Sequence, residues 1–124
     1  MTDYAAMLAD LDAGALSPAG FSHAHHVGVT VQALSEGDFY DAHARIARGL
    51  QRLTHTAGVP EKFNATLTFA FVTHIAQRWT TGQTPAAFLL ANPDLLSTDP
   101  TAGLYTPAQL ASPLARRLPI LPAA

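Results

Sequence analysis

Apolar residues recur at three- and four-residue intervals over much of the chain, and this spacing is typical of amphipathic helices. Capping residues and glycines indicate where each predicted helix begins and ends. The pattern predicts four main helices, over about Thr2–Gly14, Ser22–Leu34, Asp38–Gly58 and Pro60–Trp79. The last of these carries apolar residues on nearly all sides, so we expect it to lie in the middle of the domain.

Short helices are predicted after the four main ones. A capping residue is followed by proline at Thr84-Pro85, Asn92-Pro93, Thr106-Pro107 and Ser112-Pro113. Each pair predicts a helix start, because proline suits the first helical turn. Leu118–Pro122 contains two prolines and is expected to pack in extended form on the surface. The prediction is an all-α fold, with residues 1–124 forming one compact domain: about four main helices, short C-terminal helices and an extended proline-rich tail.

Composition narrows the class of protein. A chain of 124 residues suits one domain. The absence of cysteine removes disulfides, thiolate nucleophiles and cysteine-ligated zinc. Charged residues make up 13% of the chain and hydrophobic residues 48%. Because so few charges are present to cover the surface, we expect part of it to be buried in a homodimer.

Charge and hydropathy exclude two further classes of partner. The formal net charge is −2 and no basic stripe is present, so nucleic-acid binding is not expected. The most apolar run, Leu67–Ala76, is interrupted by His74 and is far shorter than the ~20 residues that span a bilayer. The sequence starts with an acidic rather than a basic stretch. We therefore expect a cytoplasmic protein that does not enter membranes.

Three of the six histidines lie within one predicted helix turn, in the segment Phe21–Val27. At about 100° per residue, His23 and His26 lie on or beside the apolar side of that helix and His25 faces away. Two imidazoles at this spacing can bind one transition metal, with zinc, copper, nickel and iron as candidates. Alternatively, they can act as acid–base or hydrogen-bonding groups in a metal-free small-molecule pocket.

Two histidines do not complete either kind of site. The fourth predicted helix is the expected source of the remaining groups, with Glu61, Asn64 and His74 as candidate metal partners. In a small-molecule pocket, Asn64, Thr66 and Thr68 would orient the ligand. The alternative is that both histidines are simply hydrogen-bonded within a solid core. His43 and His55, at the borders of the third predicted helix, are interpreted as solvated side chains.

The order of these motifs resembles a family of small all-helical bacterial proteins of unassigned function. Its members read F-x-H-x-x-H near the start and K-Y-H-E-T-x-T near the middle, before N-P-x-L-L, Y-S/T-x-x-x-L, an A-R pair and a proline-rich tail. Phe21–His26 matches the first motif, and Lys62–Thr68 matches the second in part. The later matches are Asn92–Leu96, Tyr105-Thr106 with Leu110, and Ala115-Arg116.

The resemblance implies an inward cluster of two histidines from the first motif with a histidine and a glutamate from the second. That cluster is typical of a metal or acid–base site. Here Asn64 and Ala65 stand at the second pair of positions, so half of the constellation is absent. Three interpretations remain: Glu61 supplies the carboxylate, His74 supplies an imidazole, or the chain is a degenerate, non-catalytic member acting as a structural or interaction protein. Whether it is an enzyme stays open.

Overall fold

The computed structural model describes residues 2–97, 99 and 101–122, and all regular secondary structure within them is helical. The α-helices are α1 (Tyr4–Ala13), α2 (His23–Glu36), α3 (Phe39–Thr56), α4 (Ala65–Arg78), α5 (Pro85–Ala91), α6 (Pro107–Ala111) and α7 (Pro113–Arg117). Pro60–Lys62 and Pro93–Leu96 form single 3-10 turns. The prediction of an all-helical fold, with four main helices followed by short ones, is confirmed. None of these helices is long and apolar enough to cross a bilayer.

Side-chain caps determine where the main helices begin. Ser22 accepts a hydrogen bond from a backbone N–H at the start of α2, and Asp38 does the same for α3, as predicted. The predicted start of the first helix was wrong by one residue. Asp3, rather than Thr2, is the N-cap of α1, and its carboxylate accepts from the backbone N–H of Ala6 at 3.0 Å.

The fourth helix begins later than the pattern predicts. Asn64 has extended backbone angles, and its Oδ1 accepts from the backbone N–H of Leu67 at 3.0 Å. It is therefore the N-cap of α4, and the preceding Pro60–Lys62 turn is a separate element. Glu61 consequently does not share a helix with Asn64, and the prediction of one continuous helix over Pro60–Trp79 is wrong in this respect.

The central helix is α2 rather than the predicted fourth helix. It contacts α1, α3, α4 and α5, and it is buried without interruption from Val27 to Val31. Gly28 permits this close packing, because a side-chain carbon there would collide with the ring of Tyr4. By contrast, α4 leaves Phe69 37% exposed. The small and β-branched residues of α2 thus allow close packing, and α2 rather than the more apolar α4 occupies the centre of the fold.

The C-terminal tail is held against α4. Leu118–Pro122 is non-helical, as predicted. The backbone N–H of Ile120 donates to Thr66 Oγ1 at 3.0 Å, and the hydroxyl of Tyr105 donates to the Ile120 carbonyl at 2.9 Å. These bonds connect the tail to a buried residue of α4, so one side of that helix is covered by the end of the chain.

Candidate functional site

A cleft of about 280 Å³ opens between α2, α3, the Pro60–Lys62 turn and α4. We call it the histidine cleft. Four apolar side chains line it: Leu50, Phe63, Leu67 and Phe71. Six polar or charged side chains line it as well: His23, His26, Thr54, Lys62, Asn64 and Thr68. The cleft therefore combines an apolar wall with a small set of polar groups, which is the usual composition of a small-molecule site.

The cleft brings together four of the residues named from sequence: His23, His26, Asn64 and Thr68. The two imidazole rings are 6.4 Å apart between centroids and nearly perpendicular. The α2 segment positions both, because Ser22 caps the helix immediately before them. His25 faces another way, as expected, and its Nδ1 accepts a hydrogen bond from the backbone N–H of Ser22.

His23 is exposed, and its ring has a defined orientation. Its Nε2 lies 2.8 Å from the carbonyl oxygen of Leu95. Since a carbonyl oxygen only accepts, Nε2 must carry the proton in this contact. In the neutral ring Nδ1 is then the nitrogen with a free lone pair, so a ligand or a metal ion at His23 would have to use Nδ1.

His26 is the most unusual group of the cleft. Its Nε2 is buried, with no hydrogen-bond partner among the described residues. The ring lies against Phe71, with centroids 4.1 Å apart. Burial, assisted by the neighbouring His23, lowers the pKa of His26 from 6.5 to about 3. The imidazole is therefore neutral at pH 7 and holds one unsatisfied polar atom, which costs about 1–3 kcal/mol when left unpaired.

Asn64 and Thr68 line the cleft but already make structural hydrogen bonds. Besides capping α4, Asn64 donates from Nδ2 to the carbonyl of Leu110 at 2.8 Å. The Thr68 hydroxyl donates to the Asn64 carbonyl at 2.8 Å. What Thr68 retains is its capacity to accept a hydrogen bond. Of the orienting role predicted for Asn64 and Thr68, what remains is that Thr68 can accept a hydrogen bond from a ligand.

The other three predicted residues lie elsewhere. Thr66 is fully buried and shares its hydroxyl hydrogen between the carbonyls of Ala115 and Leu118, so it anchors the tail. Glu61 is exposed on the Pro60–Lys62 turn. His74 lines a different groove, under the tail. The structure does not bring these three to the histidine pair.

A metal site would need more donors than the pair supplies. Zinc sites use three or four protein ligands. Among residues 2–97, 99 and 101–122, no three His, Cys, Asp or Glu side chains are grouped closely enough to hold a metal ion. The ligand set named from sequence, His23, His26 and His74, is therefore not assembled here, and metal binding stays a prediction.

Sequence reasoning missed two features, of which one lies in the wall of the cleft. Lys62 and Thr54 contribute to its wall, and neither was singled out as a site residue. The position of Lys62 at the end of the Pro60–Lys62 turn was the available signal. His43 was expected to be solvated, but it is half-buried, and Nε2 has no partner among the described residues. It stacks on Phe39, one helical turn earlier, which explains its burial.

Comparisons of the chain with protein-family models, with curated proteins and with solved structures gave no match. The resemblance to a small bacterial helical family accordingly stays a prediction. Function has to be argued from the chemistry of the cleft rather than from the fold.

Proposed function

We propose that the chain binds a small monocarboxylate with an apolar body in the histidine cleft. The observation that carries this proposal is the buried, unpartnered Nε2 of His26, a residue that lines the cleft beside its apolar wall. A ligand oxygen at that atom would satisfy it. The cleft volume of about 280 Å³ limits the ligand to the size of a small metabolite.

The charge of the ligand follows from Lys62. Of the described residues that line the cleft, Lys62 is the one with a fixed charge, and no ion pair found among the described residues involves it. A carboxylate would give it a partner. In the tautomer with its proton on Nε2, His26 donates a second hydrogen bond to the same group.

The body of the ligand is expected to be apolar. Phe63, Leu67 and Phe71 line the cleft, and Leu67 is 36% exposed. Covering these surfaces with an alkyl or aromatic group removes apolar area from water, at about 25 cal/mol for each Å² buried. Specificity for a carboxylate thus comes from Lys62 and His26, and most of the affinity from the apolar wall.

The geometry favours binding over catalysis by His26. A general acid or base works best when its pKa lies near the working pH, and a pKa of about 3 leaves this imidazole neutral throughout the neutral range. The presence of Asn64 and Ala65 where the resembling family has histidine and glutamate supports the same interpretation. The cysteine-free composition suits a cytoplasmic setting.

The test is a titration of the ¹⁵N-labelled chain with benzoate, followed by NMR. Benzoate should shift the signals of His26, Lys62 and Phe71. Lys62→Met should weaken binding about three- to fivefold, and His26→Phe about tenfold. Arg116→Met is the matched control, because it removes the same charge at an exposed position outside the cleft.

Two outcomes would overturn the proposal. Benzoate that leaves the cleft signals unchanged up to its solubility limit would remove carboxylate binding. The second outcome is that zinc, copper, nickel or iron binds tag-free protein through His23 and His26 and displaces benzoate. That result would show a metal site in place of the carboxylate site. Substitution of both histidines by alanine, with helicity retained, identifies the second outcome through loss of the bound metal.

A second function, self-association, is favoured by the surface of α5. This helix contains no charged residue; Phe88 enters the core, whereas Leu90 is 84% exposed. Leu96, at 45% exposure, lies beside it. We propose that a second copy of the chain covers this face. This is the function that remains if the chain is a degenerate, non-catalytic family member.

Sedimentation of two variants tests self-association. Leu90→Glu should convert a dimer to a monomer, whereas Leu121→Glu, at a position 87% exposed in the tail, should not. A monomeric parent protein would contradict it.

A further inference from the structure

A second groove, of about 460 Å³, lies between α4 and the C-terminal tail. We call it the tail groove. On α4 it is lined by Phe69, Thr73 and His74, and on the other side by Tyr105, Ile120 and Leu121. At about 100° per residue, Phe69 and Thr73 point away from Thr68 and Phe71 of the histidine cleft, and the two cavities share no lining residue. The two cavities are therefore separate.

Two polar atoms in the wall of the tail groove lack partners. Thr73 Oγ1 and His74 Nε2 are both buried, with no hydrogen bond among the described residues. Thr73 differs in this from three other helical threonines, Thr30, Thr54 and Thr68. Each of those donates its hydroxyl to the backbone carbonyl four residues earlier, at 2.8–3.0 Å. The Thr73 hydroxyl makes no such bond, so it is free to donate elsewhere.

The described residues that line the tail groove include no Asp, Glu, Lys or Arg. A charged ligand group placed there would find no counter-charge, and burying an unpaired charge is costly. The ligand must therefore be neutral. A ligand group that offers both an acceptor and a donor would satisfy the unpartnered hydroxyl of Thr73 and the imidazole nitrogen of His74.

We propose that the tail groove binds a neutral ligand bearing a carboxamide. The amide oxygen accepts from the Thr73 hydroxyl, and the amide N–H donates to Nε2 of His74 in the tautomer that carries its proton on Nδ1. The apolar body of the ligand packs between Phe69 and Ile120. This site is independent of the histidine cleft, since it uses other residues and another class of ligand.

Binding there should also hold the tail more firmly. The ligand would contact α4 and the tail at once, and Ile120 already donates its N–H to Thr66 on α4. A bound ligand therefore favours the docked tail and should slow hydrogen exchange of the Ile120 amide. This readout needs no variant and no activity.

The experiment is a titration of the labelled chain with benzamide. Signals of Thr73, His74 and Ile120 should shift, and exchange at Ile120 should slow. Thr73→Val and His74→Phe should each weaken benzamide binding about five- to tenfold, whereas Thr56→Val, at an exposed position outside the groove, should leave it unchanged.

Three results would overturn the proposal. Benzamide that leaves the tail-groove signals unchanged up to its solubility limit would remove the site. Variants Thr73→Val and His74→Phe that are folded and bind benzamide as the parent does would remove the assigned contacts. A crystal grown with benzamide that shows ordered water alone at Thr73 Oγ1 and His74 Nε2 would assign those atoms to hydration.

Discussion

The two sides of α4 differ in the chemistry of the cavities they form. The side facing α2 and α3 has a lysine at its cleft and a neutral, buried imidazole at His26. The side under the tail has no fixed charge among the described residues that line it, but has a free hydroxyl at Thr73 and the buried His74 nitrogen. Comparison of the two sides indicates that an imidazole in an apolar helix can line a cavity rather than solid core, and we propose that the surrounding charges determine which ligand binds there.

The largest expected effect is a loss of stability in acid, caused by the buried His26 of the histidine cleft. In the unfolded chain His26 takes up a proton below about pH 6.5, whereas in the folded chain it does so only near pH 3. Unfolding therefore takes up a proton between these values, and stability falls as pH drops from 6.5 towards 3. We expect a loss of about 3 kcal/mol between pH 6.5 and pH 4.

Urea unfolding at a series of pH values measures this loss. His26→Phe should flatten the curve, whereas His55→Phe, at an exposed position, should leave it unchanged. His43, whose pKa is lowered by burial, and Glu36 and Asp99, whose pKa values are lowered by hydrogen bonds, contribute in the same direction and should leave a residual slope. Identical curves for the parent and His26→Phe would show that the cleft imidazole is not held neutral by burial.

The second largest expected effect is confined to the side of α4 that lies under the tail. Thr66→Val removes the hydroxyl that bonds to the Ala115, Leu118 and Ile120 backbones, and should lower the free energy of unfolding by about 2 kcal/mol. The tail groove should lose benzamide binding while the histidine cleft keeps benzoate binding.

Thr66→Ser is the matched control, because it retains the hydroxyl and should restore the tail. Urea unfolding together with the two titrations measures the outcome. If Thr66→Val abolished binding of both ligands equally, the two cavities would not be separate, and the comparison between the sides of α4 would fail.

The smallest expected effect is also confined to the side of α4 under the tail. Tyr105→Phe removes one hydrogen bond, from the tyrosine hydroxyl to the Ile120 carbonyl, and should cost about 1 kcal/mol. Hydrogen exchange at the Ile120 amide should accelerate, with no change at amides of α2. Tyr40→Phe, at a position 79% exposed, should change neither. Unchanged exchange in Tyr105→Phe would mean that other contacts hold the tail.

Local signals made much of the fold predictable. Capping residues and prolines act over three or four residues, so Ser22, Asp38 and the four cap–proline pairs located helix starts correctly. The convergence of His23 and His26 on one cleft also followed from helical spacing. Such inferences need no knowledge of distant parts of the chain.

The remainder depended on contacts that spacing does not encode. Thr66 anchors residues about fifty positions away, and nothing near it in sequence indicates this role. His74 lies in a groove whose other wall is the tail. The start of α4 was misplaced because Pro60 was interpreted as its first turn, whereas Pro60–Lys62 is a separate 3-10 turn and the Asn64 side chain is the N-cap. The central position of α2 rests on Gly28 and its contact with Tyr4, a packing detail between two helices.

One measurement tests most directly whether α4 separates two ligand sites: a paired NMR titration of the same labelled sample, first with benzoate and then with benzamide. The account predicts that benzoate shifts the signals of His26 and Lys62, that benzamide shifts those of Thr73 and His74, and that each still binds when the other is present. A single set of shifting signals for both compounds, or mutual displacement, would contradict it.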